Sequence, residues 1–307
     1  GATEKDNVCI AAQDIDGDGK VDFALGAAWK PTNTSAGGSL QWIGRNNADP
    51  EGMWKLTQIT SEPTLHRIRW GDIDGDGKPE LIVVPLHGRG TKGPEWEGQG
   101  ARILVFHVPA RPALETWPAE VADDSLHIVH NFLVTNFDRA KDHEILTASR
   151  EGIHVLKRKP DGSWSKTFVA PGAPGEIKLG KARSARVIAT VEPWHGNSVV
   201  VYREENGTWN RQVIEDQLAG GHALGWADFD GDGDDELAVG WREKNFGLAV
   251  YKIDPAGRWN RAAMVDGGGM ATEDLVIADL NGDKRPDIIA AGRATRNVKI
   301  YWNETRQ

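Results

Sequence analysis

The sequence predicts an all-β protein, a β-propeller built of four-stranded blades. Three observations carry this reading. An Asp-rich loop recurs about every fifty residues, a tryptophan recurs in phase with it, and the stretches between are short apolar or alternating runs without helical period.

The loop comes in five clear copies: "DIDGDGKVD" (14–22), "DIDGDGKPE" (72–80), "NFDRAKDHE" (136–144), "DFDGDGDDE" (228–236) and "DLNGDKRPD" (279–287). A sixth, "LGKARSARVIATV" (179–191), keeps the following strand but has lost about four loop residues. Trp54, Trp117, Trp164, Trp209 and Trp259 each follow the start of a copy by 28 to 45 residues and open a short strand. In the second unit the four strands read "HRIRWGDI", "ELIVVP", "ARILVFHV" and "WPAEVA". Six blades are visible, with a seventh only if one repeat is too eroded to recognise. The last repeat ends without its Trp strand, which residues 1–7 are expected to supply. No linker divides the chain, so a single domain over 1–307 is expected.

Composition excludes some classes. Hydrophobic content of 39% with 26% charged residues suits a globular chain. The net charge of −9 is concentrated in the Asp loops, and no basic block or reader motif points to nucleic acid. No stretch is long and apolar enough for a membrane span. The lone Cys9 cannot form an internal disulfide. The chain opens Gly1-Ala2-Thr3 without Met, as a trimmed mature or recombinant product would.

The loops carry the first candidate chemistry. Asp72, Asp74 and Asp76 alternate with small positions, and Glu80 arrives at position nine. Alternate inward oxygens suit a hard cation that takes about six to eight oxygen ligands, which points to calcium. The pattern is intact at Asp14, Asp16, Asp18 and Asp22, and at Asp228, Asp230, Asp232 and Glu236. It is nearly so at Asp279, Asn281, Asp283 and Asp287. At 136–144 Ala140 replaces a ligand and both glycines are missing, so that loop is expected to be empty.

A second pattern lies six positions before each loop. The residues there are Val8, His66, His130, His222 and Glu273, with Glu176 in the eroded copy. This position opens the innermost strand, so His66, His130 and His222, with Glu176 or Glu273, are expected to converge around the axis. There they would hold a transition ion such as zinc or manganese. The plainer alternative is that each side chain hydrogen-bonds the backbone of the neighbouring blade. Two long loops, 28–38 and 86–101, are expected on the same face, with shorter ones at 149–152, 192–197, 241–245 and 292–297. They bring Trp29, Lys30, Lys92, Trp194 and Arg296. His87 and His195 are candidate base and acid, with Glu176 or Glu273 as a further proton acceptor. Arg89, Arg242 and Arg293 are candidates to hold an anionic group, and Trp96 and Trp241 to stack on a sugar ring. His107, His127, His143 and His154 are read as structural.

Asp-x-Asp-Gly-Asp-Gly followed by "DFALG", "ELAVG" or "DIIAAG" resembles the FG-GAP (VCBS) repeat of integrin α-subunit propellers and many bacterial extracellular proteins. That resemblance implies calcium as scaffolding, and a periplasmic or extracellular address where the loops fill. Segments 66–90 and 220–245 resemble the propeller module of aldos-2-ulose dehydratase-type proteins, which eliminate water from oxidised sugars. Propeller polysaccharide lyases are similar in placing a His-rich metal site on the axis. The implied function is a carbohydrate-active lyase or dehydratase working by β-elimination on an anionic or oxidised sugar. The alternative is a non-catalytic, integrin-like propeller that binds a glycan or protein. No Gly-x-Ser-x-Gly elbow is present. Oligomeric state and the identity of the sugar are left open.

Overall fold

The protein, seen in a computed structural model, is described over residues 3–45 and 52–305. The chain forms two compact units, Gly1–Val169 and Ala170–Gln307, each of three successive antiparallel sheets.

In the N-terminal unit the first sheet is β1 (Cys9–Gln13), β2 (Asp22–Ala27), β3 (Ser39–Gly44) and β4 (Lys55–Ser61). The second is β5 (Leu65–Gly71), β6 (Glu80–Pro85), β7 (Ile103–Phe106) and β8 (Ala119–Asp123). The third is β9 (Asn131–Thr135), β10 (Glu144–Ser149), β11 (Gly152–Arg158) and β12 (Trp164–Ala170). The C-terminal unit continues with β13 (Glu176–Ala182), β14 (Ala185–Glu192), β15 (Ser198–Glu205) and β16 (Thr208–Glu215). Next come β17 (Gly221–Ala227), β18 (Glu236–Trp241), β19 (Gly247–Ile253) and β20 (Trp259–Gly267). The last sheet is β21 (Thr272–Ala278), β22 (Asp287–Gly292) and β23 (Asn297–Tyr301).

These are six propeller blades, each a meander in sequence order, and the sequence reading of the repeat holds. No seventh blade is found among the described residues. The strand expected from residues 1–7 does not form: residues 3–8 carry none, and the last sheet has three strands among the described residues.

Burial explains the strand sequences. The second strands, such as "ELIVVP" and "ELAVGW", are buried along their whole length, because both faces of the sheet are covered by neighbouring blades. Fourth strands such as β16 and β20 face solvent and carry charged residues. Within the N-terminal unit Leu40, Leu65, Leu81 and Trp117 form one core cluster, and Ile82, Ile103, Phe132 and Ile145 another. Within the C-terminal unit Val187, Val201, Leu237 and Tyr251 form a third, and Leu248, Met270 and Ile288 a fourth. Each fully buried aliphatic stabilises the fold by roughly 1.5–3 kcal/mol. The eroded repeat closes by a two-residue turn, Arg183–Ser184, both with positive φ (49° and 62°), the geometry that matches the twist of a tight hairpin.

Candidate functional site

The acidic loops share one frame. The ninth acid reaches back to the second loop residue: Ile15 N–H donates to Asp22, Ile73 to Glu80, Phe137 to Glu144, Phe229 to Glu236 and Leu280 to Asp287. The first acid accepts from later N–H groups, as Asp14 does from Gly17, Asp18 and Gly19. Gly17 and Gly19 sit at φ +74° and +83°, which the tight curl requires.

What differs is the centre of each loop. Carboxylates of Asp14, Asp16 and Asp18 lie within 4.8 Å of one another, as do those of Asp72, Asp74 and Asp76 and those of Asp228, Asp230 and Glu236, so the difference lies in which loops also hold a side-chain cation. Asp72 Oδ1 is buried without a hydrogen-bond partner, as is Asp230 Oδ1 in the 228–236 loop, and a cation is one group that could satisfy either oxygen. Burial, with the charges of Asp74 and Asp76, raises the Glu80 carboxyl above its usual range against the Ile73 N–H and His107. In the 136–144 loop Lys157 Nζ reaches Asp138 (2.5 Å), Glu144 (2.7 Å) and Asp142 (3.3 Å). In the 228–236 loop Lys252 Nζ pairs with Asp230 and lies 2.8 Å from Asp232 and 3.1 Å from Glu236. In the last loop Arg285 holds Asp283 at 2.6 Å. His107, read from sequence as structural, groups with Asp74 and Glu80 within the reach of one ion.

In three repeats the position six residues before the loop is marked by a backbone irregularity that sequence alone does not reveal, whereas Glu176 in the eroded repeat pairs regularly with Val191. The register slips between Leu65 and Arg67, between Gly221 and Ala223, and between Thr272 and Asp274. His66, His222 and Glu273 are therefore the extra residues of β-bulges, which re-aim a side chain out of the ladder. In the N-terminal unit His66 Nδ1–H donates to His130 O at 2.9 Å, and Arg67 Nη1 donates to His66 Nε2 at 3.1 Å. The His66 ring lies 4.7 Å from that of His130 and 4.8 Å from Trp29. In the C-terminal unit His222 Nδ1–H donates to Glu273 O at 2.5 Å. The plainer alternative, a bond to the next blade's backbone, is thus realised twice with the same atoms.

Around His222 the chemistry is richer. Its ring is 4.7 Å from that of His195, and its Nε2 is 3.9 Å from Glu273 Oε1. Arg242 spans the group, with Nη1 donating to Glu273 Oε1 (2.5 Å) and Nη2 to His195 Nδ1 (2.9 Å). Loop geometry places these residues. The 192–197 loop is pinned by Trp194 N–H to Ala173 O and Gly221 N–H to Gly196 O, and Arg242 N–H bonds Gly220 O. A Cβ on Gly196 would sit 2.1 Å from Glu192 O, so the loop that carries His195 requires glycine there. Burial tends to raise the Glu273 carboxyl, but His222, the Arg242 bond and charge, and Arg293 outweigh it and hold it below its usual range.

These bonds assign the protons. His222 uses Nδ1–H as a donor, so in its neutral form Nε2 holds a lone pair. Neutral His195 accepts at Nδ1 from an arginine that is always a donor, so its proton is on Nε2. One imidazole is set to take a proton and the other to give one, and an oriented Nδ1–H is also the usual support of a metal-ligating Nε2.

Other expected residues are placed differently. Arg89 is clamped bidentately on buried Glu62, which Arg102 also contacts. His87 is buried and stacked on Trp96 (3.7 Å, 10°), and burial pushes its pKa down to about 4. Trp241 is buried, its indole N–H on Asn245 O. Glu176 is buried and paired with Lys178 at 2.5 Å. His143 Nδ1 accepts from Asp72 N–H (3.0 Å), and His127 pairs with Glu151 (2.8 Å).

Residues 37–205 match the family model described as the β-propeller domain of aldos-2-ulose dehydratase. The aldos-2-ulose dehydratase of Phanerodontia chrysosporium is 27% identical over 237 residues, 66% of this chain. The chain spans about a quarter (25%) of that relative's length. Among solved structures, a putative 6-phosphogluconolactonase of Bacteroides fragilis aligns with a TM-score of 0.58 at 15% identity, over 95% of this chain and 78% of that one. A lectin of Agrocybe aegerita, described as recognising non-reducing terminal N-acetylglucosamine, aligns with a TM-score of 0.57 at 14% identity, over 98% and 81%. At these identities the two structures share the fold alone. No helix among the described residues is long and apolar enough to cross a membrane.

Proposed function

Because the chain belongs to the aldos-2-ulose dehydratase β-propeller domain family, we propose that it takes part in β-elimination of water from an oxidised sugar. The observation that carries this reading is the pair of imidazoles with opposite proton inventories, His195 and His222, ordered by Arg242 and by Glu273. His222 Nε2 takes the proton α to the sugar's carbonyl. The C–H electrons move into the enolate, and positive charge from Arg242 and Arg293 stabilises it. His195 Nε2–H protonates the β-hydroxyl as its C–O bond breaks, and water leaves. Glu273 keeps Arg242 and His222 in place and, in its ionised form, supports the imidazolium formed on His222. A polysaccharide uronate would offer the same acidic α-proton and is the lyase form of this reading.

A zinc or manganese ion held by His222 Nε2 and Glu273 would stabilise enolate charge as a Lewis acid, but it would occupy the lone pair that takes the proton, so His222 would serve as ligand or as base and not as both. His66 and His130 were expected beside them, but His66 fits a ligand role only if Arg67 releases its Nε2. Calcium fits the loops of 14–22 and 72–80 by their converging carboxylates and the Asp72 orphan; at 279–287 it rests on the sequence pattern. Such loops fill at extracellular calcium levels, which supports a periplasmic or extracellular address.

The test is a panel of aldos-2-uloses and uronate oligosaccharides, followed by ultraviolet absorbance of the unsaturated product, for the wild type, His222→Ala and His195→Ala. Product formed by the wild type and lost in both variants supports the proposal. Binding without turnover would make the chain a glycan-binding module instead.

A further inference from the structure

We propose that Lys252 is the resident cation of the 228–236 loop, and that this loop takes no divalent ion while Lys252 is in place. Sequence pattern alone would rank it with the best calcium loops, since Asp228, Asp230, Asp232 and Glu236 keep every acid and Gly231 and Gly233 keep both turns. The loop backbone is also curled as in the others, with Gly231, Asp232 and Gly233 N–H groups on Asp228 at 2.7, 3.1 and 2.8 Å. Its centre, however, holds the Lys252 ammonium, in contact with Asp230, Asp232 and Glu236 at once. Asp228, Asp230 and Glu236 still present converging oxygens, with Asp230 Oδ1 buried and unpartnered, but an ion there would meet the ammonium at hydrogen-bond distance from the same carboxylates.

Register explains why this loop differs. Leu237 pairs with Tyr251, so the next step outward sets Lys252 opposite Glu236, the ninth acid. In the third blade Ile145 pairs with Leu156, which sets Lys157 opposite Glu144, and that ammonium likewise gathers Asp138, Asp142 and Glu144. The same step gives Gly44 opposite Asp22, His107 opposite Glu80 and Trp302 opposite Asp287, none of them a permanent cation. In the eroded repeat the polarity is reversed, with Arg186 on the second strand and Glu204 across from it at 3.3 Å. One residue on the third strand, far from the motif in sequence, therefore sets whether an acidic loop carries its own counter-charge. A lysine there makes the blade independent of metal supply.

The contrast rests on the calcium reading of the 14–22 and 72–80 loops, and the experiment separates the two. Thermal unfolding of the full chain and of Lys252→Met is compared in chelator and in calcium, with bound calcium counted by equilibrium dialysis. In chelator, Lys252→Met is expected to unfold several degrees below the wild type, because Asp230, Asp232 and Glu236 lose their shared counter-charge. Calcium is expected to close most of that gap, with one more ion bound per chain than in the wild type. Lys252→Met/Asp230→Asn, with less repulsion, is expected to regain part of the loss in chelator and serves as the folding control. Equal stability of Lys252→Met and wild type in chelator would overturn the proposal. So would one calcium lost from the wild type on Asp230→Asn alone. If no form binds calcium, the calcium reading fails, while the drop in chelator still supports Lys252 as the cation.

Discussion

His66 and His222 occupy the same place in two repeats and do different things. Each is the extra residue of a bulge, and each gives its Nδ1–H to the backbone carbonyl of the equivalent residue one blade on. The repeat fixes that much. The next residue then decides the outcome: Arg67 turns back onto His66 Nε2, whereas His222 is followed by Ala223, and its Nε2 lies near the carboxylate of Glu273. A duplicated scaffold can thus hold one imidazole as a satisfied structural pin and another, under the proposed function, as the group that transfers the proton. The difference is carried by neighbours that the repeat does not dictate.

The largest expected effect breaks the comparison on the reactive side. His222→Ala should lower turnover by roughly 10²–10⁴-fold, the range for a lost general base, as read from product absorbance under saturating sugar. Arg242→Gln comes next. It removes the bonds to Glu273 and His195 together, and turnover should fall roughly a hundredfold, as for loss of a charge-stabilising donor. The pH profile sharpens that case. Glu273 has its carboxyl held low by His222, Arg242 and Arg293 against burial, so its contribution is present above the ordinary carboxylate range and is lost as pH falls through the depressed folded value. In Arg242→Gln the acid limb should therefore move to higher pH.

On the structural side the signature is stability without activity. His66→Ala leaves the His130 carbonyl without its donor and should cost about 1–3 kcal/mol in denaturant unfolding, with turnover per folded molecule within a few-fold of wild type. The smallest effect belongs to His87, stacked on Trp96. Burial holds its folded pKa near 4, so the unfolded chain binds the proton first; its contribution is lost as pH falls from the ordinary imidazole range toward 4. His87→Phe should flatten the loss of melting temperature over that interval.

Much of this fold was legible because period and turn chemistry repeat. The Asp loops, the phased tryptophans and apolar runs such as "ELIVVP" located four full blades, the three-stranded last one and the blade with the shortened hairpin. The extra strand expected from residues 1–7 was not legible, since nothing in "TEKDN" offers a strand face. At the site, the marking of His66, His222 and Glu273 came from alignment alone, but the bulges that re-aim them depend on strand pairing. Arg89 read as a free cation until its pairing with Glu62, 27 residues back, was seen. Lys252 and Lys157 were invisible as loop partners for the same reason: cross-strand register, not sequence proximity, brings them to the acids. Trp96 and Trp241 looked like stacking platforms, yet one is covered by His87 and the other is buried.

The most direct test of the central claim is exchange at the sugar itself. An aldos-2-ulose incubated in deuterium oxide with the wild type, His222→Ala or His66→Ala reports proton removal by NMR, even where elimination is slow. The account predicts loss of the α-proton signal with the wild type and with His66→Ala, and none above background with His222→Ala. An unchanged α-proton in the presence of wild type, or equal exchange by wild type and His222→Ala, would contradict it.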